Sequence, residues 1–146
     1  MSWKDQLKRA LGRRRPEQWS REQVREFLRE TVAPALGDVA DELTRHGRRG
    51  EIEKGPDRVA IRVFDGDDEE FYYAVKVRTF RRPTFAFPGL TFEDEDRDSY
   101  FRAMVYTDEG PQDYGILGYD RDQVIANFMH EYDKLLRWQR PTRPES

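Results

Sequence analysis

The middle of the chain alternates between apolar and polar side chains with a period of two residues, which is the spacing of a half-buried β-strand. The clearest run is "RVAIRVF", residues 58–64. The run "EFYYAVKVRTF", residues 70–80, follows an Asp65-Gly66 pair, and such a pair is a strong signal for a hairpin turn. The run "GEIEKG" precedes Pro56-Asp57 and predicts one more strand on the other side. This pattern restricts the central region to a sheet built from hairpins.

A second pair of strands is predicted beyond a long connection. The runs "YFRAMVYTD" and "YGILGY" flank a turn at Glu109-Gly110-Pro111. The connection from Arg81 to Ser99 contains two prolines and the acidic run "EDEDRD". Because short links between strands produce antiparallel neighbours, we expect an antiparallel sheet of about five strands.

Helices are predicted on both sides of this sheet region. Ser20 and Gln23 have the spacing of a capping box, and an apolar stripe of helical period runs from Val24 to Leu43. Gly47 suits the position just after the helix, and Pro34 is expected to kink or divide it. Near the other end of the chain, "YDRDQV" predicts the same cap at Asp120 and Gln123.

These elements together predict one α+β domain over residues 19–140, with the N- and C-terminal helices packed on one face of the antiparallel sheet. Residues 1–18 are interpreted as a basic N-terminal arm or a short amphipathic helix, and residues 141–146 as a disordered tail. Peripheral membrane contact through Trp3, Leu7 and Leu11 is the less favoured interpretation of the arm, because so short a helix is only marginally stable alone.

Strand alternation sorts the side chains of the sheet onto two faces. The apolar positions, predicted to face the helices, are Val59, Ile61, Val63, Phe71, Tyr73, Val75, Val77, Phe101, Ala103 and Val105. The opposite face, which we call the open face, is predicted to carry Arg58, Ala60, Arg62, Tyr72, Ala74, Lys76, Arg78, Tyr100, Arg102, Met104 and Tyr106. Five cations and three tyrosines therefore share one face of an otherwise acidic chain.

Three interpretations of the open face follow from its chemistry. Tyrosine and arginine are favoured in protein interfaces, so a protein partner or a homodimer is predicted first. Stacking rings beside cations also suit single-stranded nucleic acid, which is the alternative. Outward-facing Glu51 and Glu53 could instead neutralise part of the patch and leave a merely solvated surface. The candidate binding residues are Arg58, Arg62, Tyr72, Lys76, Arg78, Arg102 and Tyr106.

Composition excludes several classes of function. The chain has no cysteine, so disulfides, thiolate catalysis and zinc fingers are ruled out. It has no phosphate-binding glycine loop, no dinucleotide fingerprint and no nucleophile elbow, and its two histidines have no companion at ligand spacing. We therefore predict no catalytic residue, no metal site and no cofactor.

The net charge of −3 gives no overall attraction to nucleic acid, and no apolar run approaches the roughly 20 residues that span a bilayer. These features favour a cytoplasmic protein. The sequence alone thus predicts a small soluble non-enzymatic protein-binding or adaptor domain, with single-stranded nucleic-acid binding as the alternative.

Overall fold

The computed structural model describes residues 3–4, 19–81 and 99–139. Within these ranges, five strands form one antiparallel sheet in the order β1-β2-β3-β4-β5, so each strand pairs with its neighbour in sequence. The strands are Arg49–Gly55 (β1), Arg58–Asp65 (β2), Asp68–Arg81 (β3), Ser99–Thr107 (β4) and Gly110–Gly115 (β5). The helices are Arg21–Phe27 (α1), Ala33–Arg45 (α2) and Arg121–Gln139 (α3), with a π-helical turn at Leu28–Val32 between α1 and α2. The predicted α+β fold is confirmed.

The hairpin turns follow the residues that predicted them. Pro56-Asp57 joins β1 to β2, and Gly66 takes a positive φ of 64° between β2 and β3, a conformation that glycine adopts without strain. The last strand differs from the prediction, because β5 begins at Gly110 and ends at Gly115 instead of covering residues 114–119. Pro111 is accommodated in β5 because this is an edge strand, where a missing N–H need not break the sheet.

Both predicted capping boxes are present. The Gln23 N–H donates to Ser20 Oγ at 3.1 Å, and the Ser20 N–H donates to Gln23 Oε1 at 2.8 Å. Asp120 and Gln123 make the same reciprocal pair at 2.8 and 2.9 Å. The similar sequences before α1 and α3 therefore reflect the same solution for the exposed N–H groups of a first helical turn.

Pro34 changes the hydrogen-bond register of the helix without ending its path. The Ala33 N–H donates to the Leu28 carbonyl, five residues back, so the chain makes a wider turn just before the proline. A proline ring inside an α-helix clashes with the carbonyl four residues earlier and lacks an N–H of its own. We attribute the π-helical turn to this conflict, since such turns absorb local departures from the α-helical ladder.

The core lies between the sheet and the helices, as the strand alternation predicted. Eight of the predicted inward positions are buried: Val59, Ile61, Val63, Phe71, Tyr73, Val75, Ala103 and Val105. Phe128 of α3 meets Phe71 and Tyr73 of β3 with ring centroids 5.6 and 5.4 Å apart. Large aromatic side chains thus supply much of the buried area in a chain with more charged than hydrophobic residues.

Two glycines give a matched test of how closely α2 lies on β1. A Cβ added to Gly50 would lie 3.0 Å from the Ala40 Cβ and 3.3 Å from Ile61 Cδ1. Gly50→Ala should therefore lower the free energy of unfolding by about 1–3 kcal/mol through overpacking. A Cβ on Gly37, inside α2, would meet nothing within 4 Å, so Gly37→Ala should raise it by roughly 0.5–1 kcal/mol. Urea unfolding measures both; equal effects of the two substitutions would contradict the close approach.

The predicted arm and tail fall almost wholly outside the described residues. Leu7, Leu11 and residues 141–146 lie outside them. Trp3 is helical and its side chain is 67% exposed.

Candidate functional site

The seven predicted binding residues occur together on the open face. Pairing of β2 with β3 places Arg58 opposite Lys76 and Arg62 opposite Tyr72. Pairing of β3 with β4 places Arg78 opposite Arg102, while Tyr106 lies opposite Ala74. Residues that are directly opposite in an antiparallel pair project from the same face, so the strand register builds one continuous surface.

The half of the open face formed by β1 and β2 is internally neutralised. Glu53 of β1 accepts from Arg58 at 3.3 Å and also from Arg62, which makes a second ion pair with Glu69 at 2.6 Å. The hydrogen bond from Arg62 holds the pKa of Glu53 below its ordinary value. The Arg62 guanidinium also covers the Tyr72 ring, with its central carbon 4.6 Å from the centroid. Three of the predicted binding residues are thus engaged with neighbours in the same sheet.

The half formed by β3 and β4 has a different balance. Among the described residues, no carboxylate lies within ion-pair distance of Lys76, Arg78 or Arg102. These cations lie over aromatic rings: the Lys76 ammonium is 4.4 Å from the Tyr106 centroid, and the Arg102 guanidinium is 5.1 Å from that of Tyr100. Positive charge is concentrated at this end of the face.

Phe80 completes this aromatic and cationic cluster, although the sequence analysis did not single it out. Its ring stacks on Tyr100 at 5.4 Å and lies beneath both Arg78 and Arg102, at 5.4 and 5.7 Å. Phe80 follows Arg78 by two residues in β3, so the same alternation that selected Arg78 would have placed Phe80 beside it.

A second polar cluster, not predicted from the sequence, links the other face of the sheet to α3. The Tyr73 hydroxyl donates to Asn127 Oδ1 at 2.5 Å, the Asn127 amide donates to the Tyr114 hydroxyl at 2.7 Å, and that hydroxyl donates to Glu131 at 3.2 Å. Lys134 faces the buried Glu131 carboxylate at 3.1 Å. Asn127 and Glu131 are four residues apart and border the apolar stripe of α3, so they lie on one side of the helix. This spacing is the signal in the sequence that could have revealed the cluster.

Burial dominates the chemistry of this cluster. It raises the pKa of Tyr73 well above its ordinary value and the pKa of Tyr114 to about 12, so both phenols stay protonated near neutrality. Tyr132 has the same property, with a pKa of about 12 caused first by burial and then by its hydrogen bond to Glu70. Protonated phenols donate hydrogen bonds, and they hold the sheet to α3.

Asp57, in the turn between β1 and β2, fastens this turn to α1. Arg25 Nε donates to Asp57 Oδ1 at 2.7 Å, and Arg21 approaches Oδ2 at 3.4 Å. The hydrogen bond from Arg25 lowers the pKa of Asp57. Its contribution to stability is therefore complete above the ordinary aspartate value of about 4 and is lost as the pH falls through the lower pKa of the folded state.

Asp57→Asn should remove this pH-dependent contribution. We expect the variant to be slightly less stable than the wild type near pH 7, because the pair is partly exposed and screened. The difference should shrink toward zero at about pH 2. Thermal unfolding of both proteins at the two pH values measures it; a difference that is independent of pH would show that the ion pair with Arg25 contributes nothing.

Grooves border the helices in the described part of the chain. One, of about 420 Å³, lies beside Phe71, Glu131, Lys134 and Trp138, and another, of about 590 Å³, separates α2 from α3 and is mainly apolar. A third, of about 360 Å³, lies beside Trp19 and Phe27. In the described part of the chain, no group of three histidine, aspartate or glutamate side chains is arranged to hold a metal ion. None of the helices in the described ranges combines the length and apolar character needed to cross a membrane.

No family model matches the chain. Similarity to three transport proteins extends over most of it. The high-affinity choline transport protein of Escherichia coli K12 is 25% identical over 147 residues, which cover 94% of this chain and 20% of that protein. The glycine betaine transporter of Acinetobacter baylyi is 24% identical over 80% of this chain and 17% of that protein. The osmo-dependent choline transporter BetT2 of Acinetobacter baylyi is 23% identical over 92% and 19%, respectively.

These similarities correct the functional predictions. The predicted protein-binding or adaptor domain, its nucleic-acid-binding alternative and the predicted cytoplasmic location are wrong, because the similar proteins are transport proteins. The location was predicted from the lack of a roughly 20-residue apolar run. That observation describes one chain only, and this chain spans about a fifth of the length of the curated relatives it matches. These relatives are transporters and not enzymes.

Proposed function

We propose that this chain acts in the transport of choline or glycine betaine, as a folded α+β unit that modulates a transport protein of this class. The observation that carries the proposal is the extent of the similarity: 94% of this chain aligns with a choline transport protein, and 80% aligns with a glycine betaine transporter. Similarity that extends over nearly the whole domain is stronger support for a shared fold than similarity confined to a short motif.

The features of the structure favour a modulating role for the chain over a catalytic role. The aligned stretch contains a sheet with its own buried core, closed by α1, α2 and α3, and its unusual features are charged and aromatic surfaces. We infer that the chain is non-enzymatic, in keeping with relatives that are transporters. The predicted protein partner or homodimer stays a prediction.

We further infer that the modulation responds to osmolality. One similar protein is by name an osmo-dependent choline transporter. The domain also has ion pairs at its surface, such as those of Arg62 with Glu53 and Glu69, and partly exposed pairs weaken as the ionic strength rises. A rise in ionic strength is therefore able to alter the surface of this domain.

The test is solute uptake by cells that normally make the chain, after deletion of its coding segment. Initial rates of radiolabelled choline and glycine betaine uptake are measured at low and high osmolality. We expect deletion to change the osmolality dependence for at least one of the two solutes, and re-expression of the wild-type sequence to restore it.

Val105→Asp provides the matched control, because a charge in the fully buried centre of β4 should unfold the domain. This variant should fail to restore the osmolality dependence. Uptake of an unrelated amino acid checks that the membrane potential is intact. Unchanged uptake of both quaternary ammonium solutes after deletion would refute the proposal.

A further inference from the structure

We propose that Arg78 and Arg102, with Lys76 beside them, form a binding site for a compact phosphate-type dianion. The two arginines, which we call the arginine pair, are directly opposite each other on β3 and β4. Directly opposite residues have Cβ atoms about 4.5–5.5 Å apart, and like charges in such positions repel. The site does not depend on the proposed role in transport.

The two halves of the open face differ in how their cations are neutralised. Arg58 forms an ion pair with Glu53, and Arg62 forms ion pairs with Glu53 and Glu69, so the positive charge in this half is neutralised within the sheet. Within the described ranges, no carboxylate lies within ion-pair distance of the arginine pair or Lys76. These three side chains therefore carry positive charge that no described ion pair neutralises.

Aromatic rings hold the guanidinium groups of the arginine pair. Arg78 and Arg102 both lie over the Phe80 ring, and Arg102 also lies over Tyr100. Ring contacts orient a guanidinium plane without using its N–H donors. In addition, Arg102 Nε is buried and has no acceptor among the described residues. A buried donor without an acceptor lowers stability, so an anion whose oxygens reach this group after a small side-chain rotation would relieve that cost.

The charge and donor geometry of the arginine pair favour a phosphoryl group as the ligand. Two guanidinium groups on neighbouring strands balance two negative charges, and their forked donors match the oxygens of a phosphoryl group better than they match a single carboxylate. An extended polyanion is disfavoured, because the turns at the opposite end of the same sheet are acidic and the connection that joins β3 to β4 contains the acidic run "EDEDRD". The two turns contain Asp67, Asp108 and Glu109, and Asp65 and Asp68 flank the first of them.

A phosphoryl group of this size could come from a soluble phosphate monoester or from a phospholipid headgroup, and two arms of one experiment distinguish them. In the first arm, inorganic phosphate and glycerol phosphate are titrated into the whole chain by calorimetry, with the ionic strength held constant by sodium chloride. In the second arm, the chain is sedimented with phosphatidylcholine vesicles that contain or lack phosphatidic acid.

We expect saturable binding in at least one arm. Arg78→Gln and Arg102→Gln should each weaken it by roughly tenfold or more, because each removes charged hydrogen bonds to the ligand. Arg78→Lys should retain part of the affinity, since it keeps the charge and loses the fork. Arg78 is exposed, so its variants should fold even if those of Arg102 do not.

Arg49→Gln is the matched control, because it removes the same charge at an exposed arginine of β1 that is already paired with Glu51. Its affinity should equal that of the wild type within about twofold. The site would be refuted by the absence of binding in both arms. It would equally be refuted if Arg49→Gln weakened binding as much as Arg78→Gln, since the attraction would then be a property of the overall charge of the domain.

Discussion

Phe128→Ala should lower the free energy of unfolding by about 3–5 kcal/mol, the usual cost of removing a large buried aromatic side chain. The Phe128 ring is fully buried and touches three others: Phe71 at 5.6 Å, Tyr73 at 5.4 Å and Tyr132 at 5.6 Å. Because these rings belong to β3 and α3, the cavity would lie at the contact between sheet and helix. Domains of this size are stable by only about 5–15 kcal/mol, so the loss should be plain in urea unfolding.

Met129→Ala is the control for this prediction. Met129 is the next residue of the same helix, and it is 49% exposed. Its replacement should change stability within roughly 0.5 kcal/mol, since alanine is a good helix former and little packing is lost. Similar losses for Met129→Ala and Phe128→Ala would mean that α3 faces the sheet with a different side.

Asn127→Ala should cost about 1–3 kcal/mol, because it leaves the buried Tyr73 hydroxyl without an acceptor. The same substitution removes the donor to Tyr114. Tyr73→Phe, combined with Asn127→Ala, tests whether the cost arises from the unpaired hydroxyl. The double variant should be more stable than the sum of the two single losses predicts, by about 0.5–3 kcal/mol.

Urea unfolding of the four proteins in this cycle gives the coupling free energy directly. Tyr114→Phe should also couple to Asn127→Ala, although Tyr114 is only partly buried. Strictly additive losses for Tyr73 and Asn127 would show that their hydrogen bond makes no separate contribution and that only packing matters there.

Most of the fold could be predicted from the sequence because its signals are local. Alternation in residues 58–64 fixes which face of β2 is buried, and the side chains of Ser20 and Gln23 mark the start of α1 without help from distant parts. The exceptions are equally physical. The start of β5 at Gly110 depends on its being an edge strand, which only the completed sheet establishes. Likewise, Pro34 predicted a kink or a division of the helix, but not that the chain would absorb the proline through a π-helical turn.

The residues of the candidate site could be predicted from the sequence, but the ion pairs that neutralise some of them could not. Alternation placed Arg62 and Arg78 on the same face and gave no sign that only one of them would have a carboxylate partner among the described residues. The pairing of Arg62 with Glu69 depends on the approach of two strands around a turn, and Arg78 has no such neighbour among the described residues. The Tyr73–Asn127 contact joins residues 54 apart in sequence, so no local pattern could reveal it.

The function could not be predicted, since the chain has no local motif for transport. Choline and glycine betaine enter the account only through similarity to longer proteins, of which this chain spans about a fifth. Residue chemistry alone indicated a binding surface and could not distinguish a transporter component from an adaptor.

The most direct test of a role in transport is a chimera. The aligned fifth of the Escherichia coli choline transport protein is replaced by residues 19–139 of this chain, and the initial rate of radiolabelled choline uptake is measured as osmolality rises. A deletion of the same fifth and a chimera with Val105→Asp provide the comparison. We predict that the chimera restores an osmolality-dependent rate which the deletion and the Val105→Asp chimera both lack. A chimera that is made and inserted normally but transports choline exactly as the deletion does, at every osmolality, would contradict the proposed function.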